Sequence, residues 1–146
     1  ERTRGGTAKT FALCPQGQGA FFRGDGMNYP WIDEYLQQKK GVTKDHKTQW
    51  NWIRYRIGDK LFCAVCLDER NEPYCITLKL EPAKGDALRK LYDDILPGYY
   101  MNKVHWNSVK PNGAVPEALM KEMLDDSYQL VFSGLSKKKQ DEINNI

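Results

Sequence analysis

The stretch Trp50–Leu67, WNWIRYRIGDKLFCAVCL, decides the fold because its side chains alternate in character on either side of a short turn. In a strand, successive side chains point to opposite faces, so this pattern predicts one apolar face and one face of tryptophan and arginine. Gly58-Asp59 is a two-residue connection suited to a tight hairpin, with glycine in the first central position. We therefore predict a β-hairpin whose apolar face is formed by Ile53, Tyr55 and Ile57.

The segments on either side of this hairpin predict an α+β fold. Residues 74–80 alternate again after a polar turn, which predicts a third antiparallel strand, and a fourth strand is expected over residues 103–110. Apolar stripes and terminal signals predict helices over residues 28–40, from Pro82 onward, from Val115 to Gly134 and over residues 137–143. We expect a mostly antiparallel sheet of about four to five strands with the helices packed on one face.

Length and composition favour one domain with an appended segment. The 146 residues can form a single core, and no apolar run approaches the roughly 20 residues that a membrane span needs. No stretch near the N-terminus has the order of a secretion signal, so we expect a soluble cytoplasmic protein. Residues 27–146 form the expected domain. Residues 1–26 are interpreted as an N-terminal extension, either a tag or upstream remnant or a tail that docks through Phe11, Phe21 and Phe22.

The net charge of the chain is a mild +3. Residues 1–26 contribute +2 of it, because four basic residues stand there against two acidic ones. A protein that is held to nucleic acid mainly by phosphate contacts usually has a stronger positive bias. Any nucleic-acid site must therefore be a local patch.

Four cysteines, at positions 14, 63, 66 and 75, include the CxxC pair Cys63-Ala-Val-Cys66. The pair lies on a predicted strand, where residues three apart point to opposite faces and cannot share a metal ion. The sequence has no second CxxC and no suitably spaced pair of histidines, so we predict no metal site and no cofactor. The cysteines are interpreted as structural thiols, with a redox pair as the alternative.

A second stretch carries a resemblance to a known family. Residues 97–109 read PGYYMNKVHWNSV, and they are followed in order by Asn112-Gly113, Val115-Pro116-Glu117, SYQLV over residues 127–131 and SGLSKK over residues 133–138. In the order and spacing of these motifs, residues 27–143 resemble the MmcQ/YjbR family. Two positions depart from the family signature: Tyr100 stands where His is common, and Ser136 stands where Pro is common.

The resemblance implies a frataxin-like (CyaY-like) α+β fold and DNA binding by a double-wing arrangement of hairpins. It implies no reaction, and Tyr100 removes one possible ligand or proton carrier, so we expect a protein that is not an enzyme. A frataxin-like fold also suggests iron binding. We reject iron binding because the first helix offers only Asp33 and Glu34 and ends in lysines.

The first candidate surface is an aromatic and basic row on the first strand of the hairpin. It consists of Trp50, Trp52, Arg54 and Arg56. Indole rings stack on bases, and guanidinium groups bind phosphates. The alternative interpretation is that a helix or residues 1–26 cover the two tryptophans while the arginines are solvated.

The second candidate surface is a polar strip on the predicted fourth strand. Strand alternation places Lys103, His105 and Asn107 on one face. As a binding site, this strip would recognise a ligand beside a basic edge. The alternative is that Asn102, His105 and Asn107 hold the preceding loop in shape through backbone hydrogen bonds.

The first functional hypothesis is a small, monomeric DNA-binding protein without membrane contact. Phosphate contacts are assigned to Arg54, Arg56, Lys60, Lys103 and Lys110, and stacking or edge contacts are assigned to Trp50, Trp52 and His105, with Asn107 beside them. The second hypothesis is a protein–protein adaptor in which the aromatic strip forms the interface core. The third is an enzyme with a pocket beside residues 99–107, where His46, His105 and the cysteines are the groups that titrate near neutral pH.

Overall fold

The predicted hairpin forms part of an antiparallel sheet with six strands. The computed structural model describes residues 27–98 and 102–146. In chain order, the elements are α1 (Ile32–Gln37), β1 (Val42–Lys47), β2 (Trp52–Ile57), β3 (Lys60–Leu67), β4 (Pro73–Lys79), α2 (Pro82–Leu91), β5 (Ile95–Pro97), β6 (Trp106–Val109), α3 (Glu117–Ser133) and α4 (Lys137–Asn144). The strands lie in the order β1-β2-β3-β4-β6-β5, and each neighbouring pair is antiparallel. The predicted α+β class is confirmed.

The sheet has more strands than the four to five expected, because two of them lack an alternating apolar pattern. Strand β1 has the sequence VTKDHK and pairs with β2 along its whole length. It lies at the edge of the sheet, where charged side chains are common. Strand β5 has only three residues and pairs with β6. Hydrogen bonding to a neighbour, rather than the sequence pattern, defines both strands.

The four helices of the described residues contribute to one apolar cluster on one face of the sheet, as predicted. The cluster contains Leu36 of α1, Leu88 of α2, Leu124 of α3 and Ile143 of α4, together with Ile53, Tyr55 and Ile57 of β2. This main cluster therefore occupies the face that the alternation in β2 marked as apolar.

A buried serine joins helix α3 to the sheet. Ser127 Oγ donates a hydrogen bond to the carbonyl oxygen of Phe62 at 2.6 Å and accepts one from the N–H of Lys79 at 2.9 Å. These two backbone groups lie on the neighbouring strands β3 and β4. One hydroxyl therefore connects the helix to both strands, which is a structural role.

The hairpin turn between β2 and β3 has both central residues in the left-handed region, with φ 56° at Gly58 and φ 67° at Asp59. Positive φ at both positions matches a type I′ turn, whose twist suits the flanking strands. Glycine at position 58 has a second reason, since a Cβ there would lie 2.9 Å from Leu135 Cδ1. The turn thus packs closely against the segment between α3 and α4.

Helix α1 begins at Ile32 and not at residue 28 as predicted. The preceding residues bond to a distant part of the chain instead of capping the helix. The N–H of Asn28 donates to the carbonyl oxygen of Pro111 at 2.7 Å, and its Nδ2 donates to the carbonyl oxygen of Gly113 at 2.7 Å. Because Asn28 makes this tertiary contact, the helix starts later than predicted.

Strand β6 begins at Trp106, three residues later than the predicted fourth strand. Asn102 Oδ1 accepts a hydrogen bond from the N–H of Val104 at 2.7 Å, and the carbonyl oxygen of Asn102 accepts one from the N–H of Trp106 at 2.9 Å. Residues 103–105 therefore form a turn, and the strand alternation expected for them does not apply.

The described cysteines lie on the faces that strand alternation predicted. Cys63 belongs to the main cluster, whereas Cys66 lies in a second cluster with Trp52, Ala64 and Cys75. All three cysteines are free. Burial raises the pKa of the Cys63 thiol, so this group stays protonated near neutral pH.

The described residues contain neither a candidate metal cluster nor a membrane-spanning helix. Residues 27–98 and 102–146 contain no group of three or more His, Cys, Asp or Glu side chains that could hold a metal ion. Within the same ranges, none of the helices has the length and apolar character that crossing a bilayer requires.

Residues 1–26 lie outside the described residues, and so do residues 99–101. The division of the chain into an N-terminal extension and a domain over residues 27–146 stays a prediction. Docking of the extension through Phe11, Phe21 and Phe22 stays a prediction for the same reason.

Candidate nucleic-acid interface

The candidate residues of β2 lie on the sheet face that points away from the main cluster, which is called the open face below. Directly paired residues of an antiparallel sheet share a face, and the strand register pairs these residues across five strands. The open face is formed by Thr43, Asp45, Lys47, Trp52, Arg54, Arg56, Ala64, Cys66, Cys75, Thr77 and Ser108.

Trp50 presents an exposed aromatic ring at one end of the open face. The residue is 55% exposed, and its ring meets that of Trp52 edge to face, with centroids 5.2 Å apart. Lys47 Nζ lies 5.2 Å from the centroid of the Trp50 ring, which is a cation–π contact. Trp52 is only 4% exposed. Both tryptophans were expected to stack on a ligand, but only the Trp50 ring is exposed enough to do so. The buried Trp52 ring packs against its edge.

Arg54 and Arg56 share one carboxylate on the neighbouring strand. Arg54 Nε and Nη2 donate to the two carboxylate oxygens of Asp45 at 2.7 and 2.8 Å, and Arg56 Nη2 lies 3.0 Å from Asp45 Oδ2. The hydrogen bond from Arg54 holds the pKa of the Asp45 carboxyl below its ordinary value, so Asp45 is ionised near neutral pH. The arginines are therefore paired rather than merely solvated, and the trio carries a net charge of +1.

Both guanidinium groups keep a surface that a ligand can reach. The side chain of Arg54 is 21% exposed and that of Arg56 is 31% exposed. Lys60 is exposed at the start of β3, but it pairs with Ile57 of the main cluster, so the register does not place it on the open face with the arginines. The basic character predicted for this part of the sheet is thus present, although one carboxylate reduces it.

Asn107 is not a surface group. It is fully buried, and its neighbour on the same face, Val109, belongs to the main cluster. Its Oδ1 accepts a hydrogen bond from Arg89 Nη1 of α2, and its Nδ2 donates to the carbonyl oxygen of His105 at 3.3 Å. The structure therefore supports the alternative interpretation for Asn107, in which it holds the chain around β6 in shape.

Lys103, His105 and Lys110 do not form one strip with Asn107. Lys103 and His105 lie in the turn before β6, and the carbonyl oxygen of His105 accepts from the N–H of Leu80 at 2.8 Å. Lys110 follows β6, and its Nζ lies 3.8 Å from Asp94 Oδ1. The predicted common face of Lys103, His105 and Asn107 was wrong because β6 starts only at Trp106.

The strand register divides the candidates between the two ends of the sheet. Lys79 pairs with Trp106 at the end of the sheet where β3 begins, so Lys60 and the turn at residues 103–105 lie at this end. Trp50 and Lys110 lie towards the opposite end of the sheet. Arg54 lies in the middle of β2, between the two ends. The candidates that share the open face are those of β2.

Sequence reasoning missed the two residues of β1 that shape this surface. Asp45 pairs with the arginines and Lys47 covers the ring of Trp50. The one available signal was the spacing of Thr43, Asp45 and Lys47, which places every second polar side chain of VTKDHK on the same face of a strand.

The comparison with family models and known relatives gives consistent matches. A family model described as YjbR matches residues 37–130. The protein YbdF of Escherichia coli O157:H7 is 41% identical over 86 residues, which cover 59% of this chain and 69% of that protein. The protein YyaQ of Bacillus subtilis (strain 168) is 30% identical over 107 residues, which cover 73% of this chain and 86% of that protein.

Solved structures share the fold. A crystal structure of a Deinococcus radiodurans protein with a DUF419 domain superposes with a TM-score of 0.72 at 25% identity, covering 81% of this chain and 88% of that chain. A crystal structure of a protein from Pseudomonas syringae gives a TM-score of 0.58 at 27% identity and covers 71% of this chain and 98% of that chain.

Proposed function

The chain belongs to the YjbR family, and we propose that it is a non-enzymatic, cytoplasmic protein that binds DNA as a monomer through the open face of its sheet. One observation carries this proposal. The exposed ring of Trp50 stands beside Lys47 and the partly exposed Arg54 and Arg56, on the face where none of the described helices packs.

The chemistry of these groups suits a nucleic acid. An exposed indole stacks on a base of any sequence, and guanidinium groups bind phosphate oxygens with two parallel hydrogen bonds. Lys47 adds a third cation to the open face, where it pairs with Trp52 at the start of β2. The hairpins on either side of β2 would then act as the two wings that the family resemblance implies.

The charge balance predicts weak and salt-sensitive binding. On the open face, Lys47, Arg54 and Arg56 carry three positive charges, and Asp45 cancels one of them. Each phosphate contact contributes about 0.9 to the slope of log affinity against log salt concentration on duplex DNA. With few contacts, we expect binding that is easily measured at low salt and much weaker at physiological salt.

The groups that could act in catalysis have structural roles in the described part of the chain. The hydroxyl of Ser127 bridges two strands, and burial raises the pKa of the Cys63 thiol. His46 Nε2 lies 2.7 Å from Asn51 Oδ1 in a network that also includes Asn71. These engagements favour a binding protein.

The test is fluorescence anisotropy of a labelled duplex and a labelled single strand at low and physiological salt. The variant R54A/R56A should bind at least about tenfold more weakly, with a salt slope lower by about 2, because two phosphate contacts are lost. The matched control is K138A/K139A, which removes two charges from α4 on the other side of the sheet. Wild-type binding that is absent, insensitive to salt or unchanged in R54A/R56A would contradict the proposal.

A protein–protein adaptor is the second candidate, because Trp50 and Tyr74 are both exposed large aromatic residues near one end of the sheet. Interface cores are enriched in such residues. The variant W50A separates the two functions when it is combined with light scattering. Loss of self-association without loss of DNA affinity would favour the adaptor.

A further inference from the structure

Two free thiols face each other across the open face. Cys66 of β3 and Cys75 of β4 are direct partners in the strand register, and both belong to the second cluster with Trp52 and Ala64. Paired residues of an antiparallel ladder have Cα atoms roughly 4.5–5.5 Å apart, which lies within the roughly 4.4–6.8 Å that disulfides span. The backbone therefore holds the two cysteines at a separation that a disulfide bridges.

The two side chains also point towards each other. The Cys66 and Cys75 thiols are joined by a hydrogen bond. Two cysteines whose Cβ atoms point apart cannot be joined without a backbone movement, and this pair avoids that arrangement. The register shifts directly after Cys66, so the ladder is locally disrupted beside the pair and leaves room for a small adjustment.

Two donors converge on the sulfur of Cys75. The hydrogen bonds from Cys66 and from the Ser108 hydroxyl lower the pKa of the Cys75 thiol, against the opposing effect of burial. The contact with Cys75 and burial both raise the pKa of the Cys66 thiol. The thiolate is the form of cysteine that reacts, so Cys75 is the reactive thiol and Cys66 is a protonated thiol beside it. Redox-sensor cysteines are often placed next to such a second thiol.

The CxxC spacing does not bring its own two thiols together. Cys63 lies on the opposite face of β3, in the main cluster, where burial raises the pKa of its thiol. The redox pair that the sequence offered as an alternative is therefore not Cys63 and Cys66. The structure instead places the partner of Cys66 on the neighbouring strand.

We propose that Cys66 and Cys75 form a reversible disulfide across β3 and β4 when the protein meets hydrogen peroxide. The Cys75 thiolate attacks one peroxide oxygen, the O–O bond breaks, and the departing hydroxide takes up a proton to become water. Cys75 is then a sulfenic acid. The Cys66 sulfur attacks the Cys75 sulfur, the S–O bond breaks, and the hydroxide leaves with the Cys66 proton as a second water.

The electrons balance in this sequence of steps. The two thiols lose two electrons and two protons, and the peroxide gains them and becomes two water molecules. A dithiol such as dithiothreitol reverses the reaction by thiol–disulfide exchange and is itself oxidised to a disulfide. The site is thus a modification that is made and removed without loss of either cysteine.

The pair adjoins the proposed DNA surface without being part of it. Cys66 pairs with Trp52, whose ring packs against that of Trp50. The inference does not rest on DNA binding, because the disulfide is measured without nucleic acid.

The test is oxidation of the native full chain by hydrogen peroxide, followed by blocking of free thiols in denaturant, trypsin cleavage and mass spectrometry without reduction. Cleavage after Lys60, Arg70 and Lys79 places Cys63 and Cys66 in one peptide and Cys75 in another. The expected main product is these two peptides joined through Cys66 and Cys75, with the blocking group on Cys63. Dithiothreitol added before blocking should remove the link.

Three variants assign the roles of the two thiols. C66S should stop at a sulfenic acid on Cys75, which dimedone traps, whereas C75S should give neither a linked peptide nor a trapped Cys66. The matched control C63A removes the thiol on the opposite face and should leave the rate of linkage within about twofold of wild type.

A fourth variant tests the hydroxyl beside Cys75. S108A removes one of the two donors to the Cys75 sulfur and should slow its oxidation by at least about threefold.

Three results would overturn the proposal. One is the absence of the linked peptide in the oxidised native chain. Another is a main disulfide that involves Cys63 or Cys14, because the register would then not choose the partner of Cys66. The third is an equal yield of the Cys66–Cys75 link in the urea-unfolded chain, because the fold would then have no part in selecting the pair.

Discussion

Asp45 and Arg54 face each other across β1 and β2 and form a two-bond ion pair, with Nε–Oδ1 and Nη2–Oδ2 distances of 2.7 and 2.8 Å. Arg56 approaches the same carboxylate at 3.0 Å. An edge strand with a polar sequence thus sets the charge of the surface that its neighbour presents. Asp45 holds both guanidinium groups in place and at the same time reduces their attraction for an anion.

Replacing Asp45 with Asn should strengthen DNA binding about fivefold at low salt, because one charge near the phosphate contacts is worth about 1 kcal/mol at a protein surface. Anisotropy titrations of D45N and wild type measure the change. The control D141N removes a carboxylate from the exposed Lys137–Asp141 pair of α4 and should have little effect. A lower affinity for D45N would mean that the arginines must be held by Asp45 in order to bind.

The same carboxylate should contribute to stability in a pH-dependent way. Arg54 lowers the pKa of Asp45 in the folded chain, so its contribution is present above the pKa in the unfolded chain and is lost as the pH falls through the lower folded value. The pair is partly exposed, so we expect D45N to cost about 0.5–1 kcal/mol near pH 7. Urea unfolding of D45N and wild type should show this difference near neutral pH and almost none near about pH 2. A difference that persists in acid would assign the cost to packing.

Replacing Ser127 with Ala should destabilise the fold by about 1–3 kcal/mol, because the Phe62 carbonyl and the Lys79 N–H would lose a buried partner. The matched control is S133A in the same helix, where the exposed Oγ donates to the Gln129 carbonyl oxygen at 2.7 Å. Its cost should stay below about 0.5 kcal/mol. Urea unfolding measures both variants, and similar values for the two would remove Ser127 from its role as the link between α3 and the sheet.

Replacing Asn107 with Ala should affect stability rather than binding. Its buried amide bonds to the half-buried Arg89, so its loss removes a charge-assisted hydrogen bond and leaves a void, and should cost about 1–3 kcal/mol. DNA affinity at a temperature where the variant is folded should stay within about twofold of wild type. The exposed Asn112 is the control, and N112A should change neither property. Weakened DNA binding by folded N107A would return Asn107 to the binding surface.

Local sequence patterns were sufficient for the elements whose signals lie within a few residues of each other. The alternation in β2 and β3 placed Ile53 and Cys63 on one face and Cys66 on the other, as the two clusters confirm. Ser136 caps α4 by accepting from the N–H of Lys139 at 3.2 Å. Gly134 ends α3 where it was expected. In each case the physical cause is the geometry of a single strand or a single helix end, which the neighbouring residues alone determine.

Only the tertiary structure decided which of the candidate residues share a surface. Trp52 is buried in a cluster with Ala64, Cys66 and Cys75 of the neighbouring strands. Asn107 is bonded to Arg89 of α2, which is 18 residues away in the chain. Arg54 is paired with Asp45, which is 9 residues away on β1. Strand β1 itself is recognisable by its hydrogen bonds to β2 and not by its polar sequence. Strand register and helix packing bring such partners together, and neither leaves a periodic pattern at the residues concerned.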